Sequence, residues 1–168
     1  MASHVELYLI RHGLAADRGE DHQDDAKRPL TSRGIARVRK EAGGLMELEI
    51  SFDIILTSSL VRARQTADAI AAALSSRPTV AVVDALAPGG TYTAFADELA
   101  RHDRHHRIAA VGHEPGLGEL AARLIGAKKP LAFKKGAICR IDLQALPPTG
   151  PGELRWFVTP KMLRLIDK

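Results

Sequence analysis

The chain is poor in cysteine and in aromatic rings. Its single thiol, Cys139, excludes an internal disulfide. That thiol lies in the strand-like run Gly136-Ala137-Ile138-Cys139-Arg140-Ile141 and reads as packed rather than reactive. Aromatic residues fill only 4% of the sequence, so a core must be assembled from Ala, Leu, Ile and Val. No apolar run approaches the roughly 20 residues needed to cross a bilayer. The first residues also lack the basic and apolar regions of a secretory signal, so a cytoplasmic location without membrane association is expected. Repeats, low-complexity tracts and linkers are missing, and residues 1–168 are expected to form one domain. Charge of one sign is not in excess either: the net charge is +4. The stretch Lys128-Lys129-Pro130-Leu131-Ala132-Phe133-Lys134-Lys135 has no interleaved aromatic platform for stacking bases, so it reads as a solvated loop and no nucleic-acid partner is expected. The polar segment Asp17–Asp25 reads as an exposed loop rather than a metal site, since its spacing matches no ion-binding loop, and the cluster His102–His106, between a helix and a strand, reads as solvated.

Short apolar, β-branched runs alternate with longer helical patterns. Strands are expected at Val5–Ile10, Asp53–Thr57, Thr79–Val83, Arg107–Val111, Gly136–Leu143 and Glu153–Val158. Helical spacing marks Thr31–Glu49, Leu60–Leu74, Tyr92–Arg101 and Gly116–Ile125, with Thr31 or Ser32 capping the first and Ser58 or Ser59 the second. This order predicts an α/β fold, a three-layer α/β/α sandwich with a mostly parallel sheet. The last two strands have only the Pro- and Gly-rich link Gln144–Gly152 between them, which predicts an antiparallel edge.

Three segments point to one anion. Arg11-His12-Gly13 follows the first strand, and in an open α/β sheet ligands bind at the carboxyl ends of the strands. Arginine grips phosphate through its planar fork, histidine can act as a nucleophile toward phosphorus, and glycine lets the backbone come close to a ligand. Thr57-Ser58-Ser59-Leu60-Val61-Arg62 then ends a second strand and opens a helix, whose N-terminus favours anions. Arg62 reaches the same spot, whereas Arg64 must point elsewhere. Val111-Gly112-His113-Glu114 is a third strand end, again carrying an imidazole. The segment Arg28–Gly34 begins a helix and is expected to close over the site.

With Leu9-Ile10-Arg11-His12-Gly13, Ser58-Ser59-Leu60-Val61-Arg62-Ala63-Arg64-Gln65-Thr66 and Val111-Gly112-His113-Glu114 in this order, the chain resembles the histidine phosphatase superfamily. The superfamily is also called phosphoglycerate mutase-like or RHG. The small size and the early Arg28-Pro29-Leu30-Thr31 make it similar to the SixA-type phosphohistidine phosphatases. The resemblance implies a phosphoglycerate mutase-like fold. His12 would be the nucleophile that becomes phosphorylated, and Arg11 and Arg62 would clamp the phosphoryl oxygens. His113 would donate a further hydrogen bond. Gly13, Ser58 and Glu114 join Arg11, Arg62 and His113 as expected substrate contacts. The arginines should hold the His12 imidazole neutral, and because they supply positive charge no metal or other cofactor is expected.

Larger relatives place a carboxylic acid near the segment that here reads Val83-Asp84-Ala85-Leu86. Ala85 stands at the carboxylate position, and Asp84, read as part of a strand, would face the other way. Asp17 is a second candidate proton donor. A missing acid matters more for alkyl phosphates than for a phosphoramidate, because acid catalysis is worth about 10²–10⁴ in rate. The expected activity is therefore hydrolysis of phosphohistidine in a protein. The alternatives are a small-molecule phosphatase acting on a sugar phosphate, nucleotide or polyphosphate, and a non-catalytic phosphate- or phosphoprotein-binding module. A mutase would need insertions to enclose its intermediate, and none is seen. No apolar stripe specifies an oligomeric state.

Overall fold

A computed structural model of the protein describes residues 4–168. Six strands form one sheet in the order β3-β2-β4-β1-β5-β6. β1 (Val5–Arg11), β2 (Ile54–Thr57), β3 (Thr79–Val82) and β4 (Arg107–Gly112) run parallel. β5 (Ile138–Leu143) and β6 (Glu153–Val158) are paired antiparallel and form the edge beyond β1.

Period-two alternation divides the core between the two faces of this sheet. Val5, Leu7 and Leu9 of β1, with Ile108 and Ala110 of β4, pack against Phe95 and Leu99 of α3 (Tyr92–Ala100) and Leu117, Ala121 and Leu124 of α4 (Gly116–Ile125). Tyr8 and Ile10, with Ala109 and Val111, face the other way. They meet Val38, Ala42 and Leu45 of α1 (Ser32–Glu47), Ala63, Ala67 and Ile70 of α2 (Val61–Ala73), and Leu163 of α5 (Pro160–Ile166). The result is a three-layer α/β/α sandwich. Cys139 is fully buried in the first of these layers, and burial pushes its thiol up to about 12.

Several boundaries differ from the sequence reading. β2 starts at Ile54, because the Asp53 carboxylate accepts the backbone N–H groups of His106 (2.8 Å) and Arg107 (2.9 Å). β5 starts at Ile138, because Gly136 has a left-handed backbone (φ +91°) and its N–H turns to the Arg11 carbonyl at 3.0 Å. Thr31 caps α1, accepting the Gly34 N–H at 2.9 Å. Neither Ser58 nor Ser59 is the N-cap of α2. Leu60 holds that position, Ser59 is exposed, and Ser58 is buried against another partner described below. The sequence reading has no counterpart of α5, although Thr159-Pro160 is a start signal: the threonine accepts the Met162 N–H and proline occupies the first turn.

Candidate active site

β2, β4 and β1 are neighbours in the sheet, so their carboxyl ends lie side by side. Arg11 pairs in register with Gly112, the His12 N–H reaches the Gly112 carbonyl at 3.1 Å, and the Ser58 N–H reaches that of Val111 at 3.1 Å. These links stitch the three motifs together. The His12 and His113 rings are 5.0 Å apart, centre to centre. Arg62, in the first turn of α2, is 5% exposed and acts electrostatically on both imidazoles, as does Arg11. The four residues named from the sequence therefore share one place.

The hydrogen bonds settle which nitrogens are free. His12 Nδ1 is 2.7 Å from the Gly13 carbonyl, which can only accept, so the proton sits on Nδ1 and the Nε2 lone pair is free. Ser58 Oγ accepts the Leu60 N–H at 3.1 Å and lies 2.8 Å from His113 Nε2. Either group can supply the proton between them, so this bond fixes the orientation of the His113 ring and turns Nδ1 away from Ser58. That nitrogen is buried and has no partner among the described residues. Arg11 donates one terminal nitrogen to the Phe133 carbonyl at 2.8 Å, while its Nε is buried and unpartnered. Arg62 has the same pattern. Its two terminal nitrogens meet Asp25, at the carbonyl (2.8 Å) and at Oδ2 (3.1 Å), and its Nε is buried and unpartnered. Buried donors are nearly always satisfied. Arg11 and Arg62 each keep one donor, and His113 one ring nitrogen, in reserve around the His12 imidazole.

Asp25 belongs to this site although the sequence reading placed it in an exposed loop. It opens a short 3-10 turn, Asp25–Lys27, and its carboxylate meets Arg18 (3.1 Å), Arg28 (2.9 Å) and Arg62 (3.1 Å). Desolvation works against its charge, but hydrogen bonds from Arg28, Arg62 and Arg18 hold the carboxyl at about 2. Arg28 also donates to the Ala16 carbonyl at 2.7 Å and so pins the loop over Arg62. No spacing signal connects Asp25 to Arg62; the contact exists only once the chain has folded.

Burial is the main reason both imidazoles stay neutral. His12 is lowered to about 3 by desolvation, with His113, Arg62 and Arg11 pushing the same way and the Gly13 carbonyl opposing. His113 is lowered to about 4 by desolvation and by Arg62, with Asp25 opposing. The sequence reading credited the arginines, and they are the smaller cause.

The remaining candidates are placed as follows. The Gly13 N–H donates to Thr66 Oγ1 at 3.0 Å, and a Cβ at Gly13 would lie 2.6 Å from Val38 Cγ2; close packing against α1 is what excludes a side chain there. Glu114 accepts backbone N–H groups of Gly118 (2.6 Å) and Phe133 (3.3 Å), one on each oxygen, so its carboxylate organises the start of α4. Arg64 turns outward to Asp68 at 3.1 Å. Asp84 is not on a strand: β3 ends at Val82 and Asp84 opens an exposed 3-10 turn. Ala85 lines a 460 Å³ cleft with Tyr92, His113, Leu120 and Arg123. Asp17 is exposed. His102 pairs with Glu98 at 3.2 Å, away from the site.

Comparison with known proteins places the chain among phosphatases. Residues 7–87 match the histidine phosphatase superfamily (branch 1). An uncharacterized protein of Picosynechococcus sp. is 45% identical over 119 residues, 70% of this chain and 71% of that one. The phosphohistidine phosphatase SixA of Escherichia coli K12 is 27% identical over 164 residues, 96% of this chain and 98% of that one. A solved structure of the protein histidine phosphatase SixA complexed with tungstate superimposes with a TM-score of 0.84 at 25% identity, covering 95% of this chain and 99% of the other. The sandwich is of the phosphoglycerate mutase-like type.

Proposed function

We propose a substrate and a mechanism for this chain, which belongs to the histidine phosphatase superfamily and is a phosphatase: it removes the phosphoryl group from a phosphohistidine side chain of a protein, by way of phosphorylated His12. The observation that carries the mechanism is the set of free nitrogens. His12 presents a lone pair at Nε2, and Arg11 Nε, Arg62 Nε and His113 Nδ1 are buried nitrogens with no partner among the described residues. Phosphoryl transfer asks for positioning and for stabilisation of charge on the equatorial oxygens, and such groups supply both.

In the first step His12 Nε2 attacks phosphorus. The new P–N bond forms as the P–N bond to the substrate imidazole breaks, and the departing imidazole takes a proton from solvent. In the second step water attacks the phosphorus of phospho-His12. Oxygen stays with the phosphate, the electron pair returns to Nε2, and the water proton leaves to solvent. Ser58 acts through His113 by orienting its ring, and Asp25 acts through Arg62 by holding its terminal nitrogens, so both are positioning residues.

The carboxyl groups near the site support a phosphoramidate substrate. Glu114 has both oxygens occupied by backbone donors, Asp25 is held ionised, and Ala85 has no acid to offer. An imidazole leaves without a strong acid beside it, whereas an alkoxide does not. The relatives named above as phosphohistidine phosphatases support the same reading. The test is to compare kcat/KM for a phosphohistidine protein with those for 4-nitrophenyl phosphate and sugar phosphates. The phosphohistidine protein should lead the sugar phosphates by about 10² or more, whereas 4-nitrophenyl phosphate, whose leaving group departs without an acid, need show no such gap; preference for a sugar phosphate would overturn the substrate assignment.

A further inference from the structure

A second cleft adjoins Arg11 on the side away from the 460 Å³ one. It measures 530 Å³, and three elements build it. Arg37 and Glu41 come from α1, Lys134 and Lys135 from the turn before β5, and Lys161 and Arg164 from α5. The lysine turn is fastened to the catalytic strand end: Arg11 reaches the Phe133 carbonyl at 2.8 Å, and the Gly136 N–H bonds the carbonyls of Arg11 (3.0 Å) and His12 (3.1 Å). The two lysines thus lie between two residues bonded to Arg11 and His12.

The charges in this cleft do not cancel. Arg164 is engaged by the buried Glu41 at 2.8 Å. Among the described residues no carboxylate lies within salt-bridge distance of Arg37, Lys134, Lys135 or Lys161. Four cations thus surround one depression beside a site for a phosphoryl group, and nothing in the packing of the core accounts for them. The three lysines are exposed and stand on the rim. Spread rim cations fit several separate carboxylates on a partner's surface, whereas one compact anion would need them buried and converging.

We propose that this cleft receives acidic side chains flanking the phosphohistidine on the protein substrate, so that the partner's carboxylates lie on Arg37, Lys134, Lys135 and Lys161 while its phosphoryl group reaches His12. The proposal rests on the phosphohistidine reading above. It gives the lysine-rich loop, set aside as solvated in the sequence, a part in choosing the substrate.

The test uses the full chain and three probes: a phosphohistidine peptide with four flanking glutamates, the same peptide with four glutamines, and phosphoimidazole. The wild type should prefer the glutamate peptide by about tenfold in kcat/KM, since four exposed ion pairs each contribute a modest amount. Added salt should erase the preference. The triple variant Lys134→Ala, Lys135→Ala, Lys161→Ala should lose that preference while hydrolysing phosphoimidazole within twofold of wild type. Equal rates on the two peptides for the wild type, or a preference that survives in the variant, overturns the proposal and leaves the phosphohistidine reading intact. A variant that slows on a sugar bisphosphate relative to a monophosphate, with no change on the peptides, assigns the cleft to a second phosphate and also overturns it. Failure of the wild type on all three probes, with turnover of a sugar phosphate, removes the phosphohistidine reading and this proposal together.

Discussion

His12 keeps its proton on Nδ1, against the Gly13 carbonyl 2.7 Å away, so its other nitrogen needs no general base. Burial holds the ring at about 3 and His113 at about 4. Lowering pH through the usual histidine range, near 6.5, therefore leaves both rings neutral. The expected outcome is a kcat/KM profile whose enzyme-borne acid limb lies near pH 4, measured with substrates whose own phosphoryl groups titrate at different pH values. A shared limb at 6–7 would contradict it. Asp25 makes a second claim at this scale. Without its carboxylate, buried Arg62 loses its counter-ion and one of the two contacts that aim it, keeping only the Asp25 backbone carbonyl. Asp25→Ala should lower kcat by about 10², whereas Asp25→Asn, which keeps a side-chain oxygen for Arg62, should recover part of the loss. A fall in KM-related affinity alone, with kcat unchanged, would exclude the positioning role.

The elements bear unequal amounts of legible signal. β1 and β4 declare themselves by apolar runs that end in Arg-His-Gly and Gly-His-Glu, and a strand end is a local property. Arg62 is legible for the same reason, being four residues past Ser58 at the start of a helix. Asp25 is not, because its partner is 37 residues away and only the folded loop brings them together. Ser58 was legible as a site residue but not in its role, since the bond to His113 spans 55 residues. α5 was missed because seven residues with two exposed apolar side chains, Met162 and Leu165, give little periodic contrast. Its packing is nonetheless tight. A Cβ on Gly44 of α1 would collide with the Leu163 carbonyl of α5. Gly44→Ala should therefore destabilise the fold by about 1–3 kcal/mol, read as a drop in Tm of several degrees by calorimetry. An unchanged Tm would mean that α5 does not sit on α1.

At the scale of the whole molecule, folding places Glu41 under the basic cleft, where burial raises its carboxyl from 4.5 to about 7 against the pull of Arg164 and Arg37. A raised folded pKa means that the native state holds its proton over a range in which the unfolded chain has released it. This contribution to stability is fully present below about 4.5 and is lost as pH rises through about 7. His12 and His113 act in the opposite sense, weakening the fold as pH falls below 6.5 toward 4 and 3. Comparing wild type with Glu41→Gln cancels the histidine part. The Tm of wild type minus that of the variant should become more negative between pH 5 and pH 8, and a difference independent of pH would contradict the assignment. The sheet order that unites three motifs from residues 11, 62 and 113 is likewise a property of the whole chain.

The most direct test is chemical: quench turnover of a phosphohistidine protein with alkali, which preserves phosphohistidine, and map the phosphate on the chain. The account predicts one acid-labile, alkali-stable phosphate on His12, with none on the His12→Ala protein and no phosphate release by it. Phosphate found on another residue, or release at the wild-type rate by His12→Ala, would contradict it.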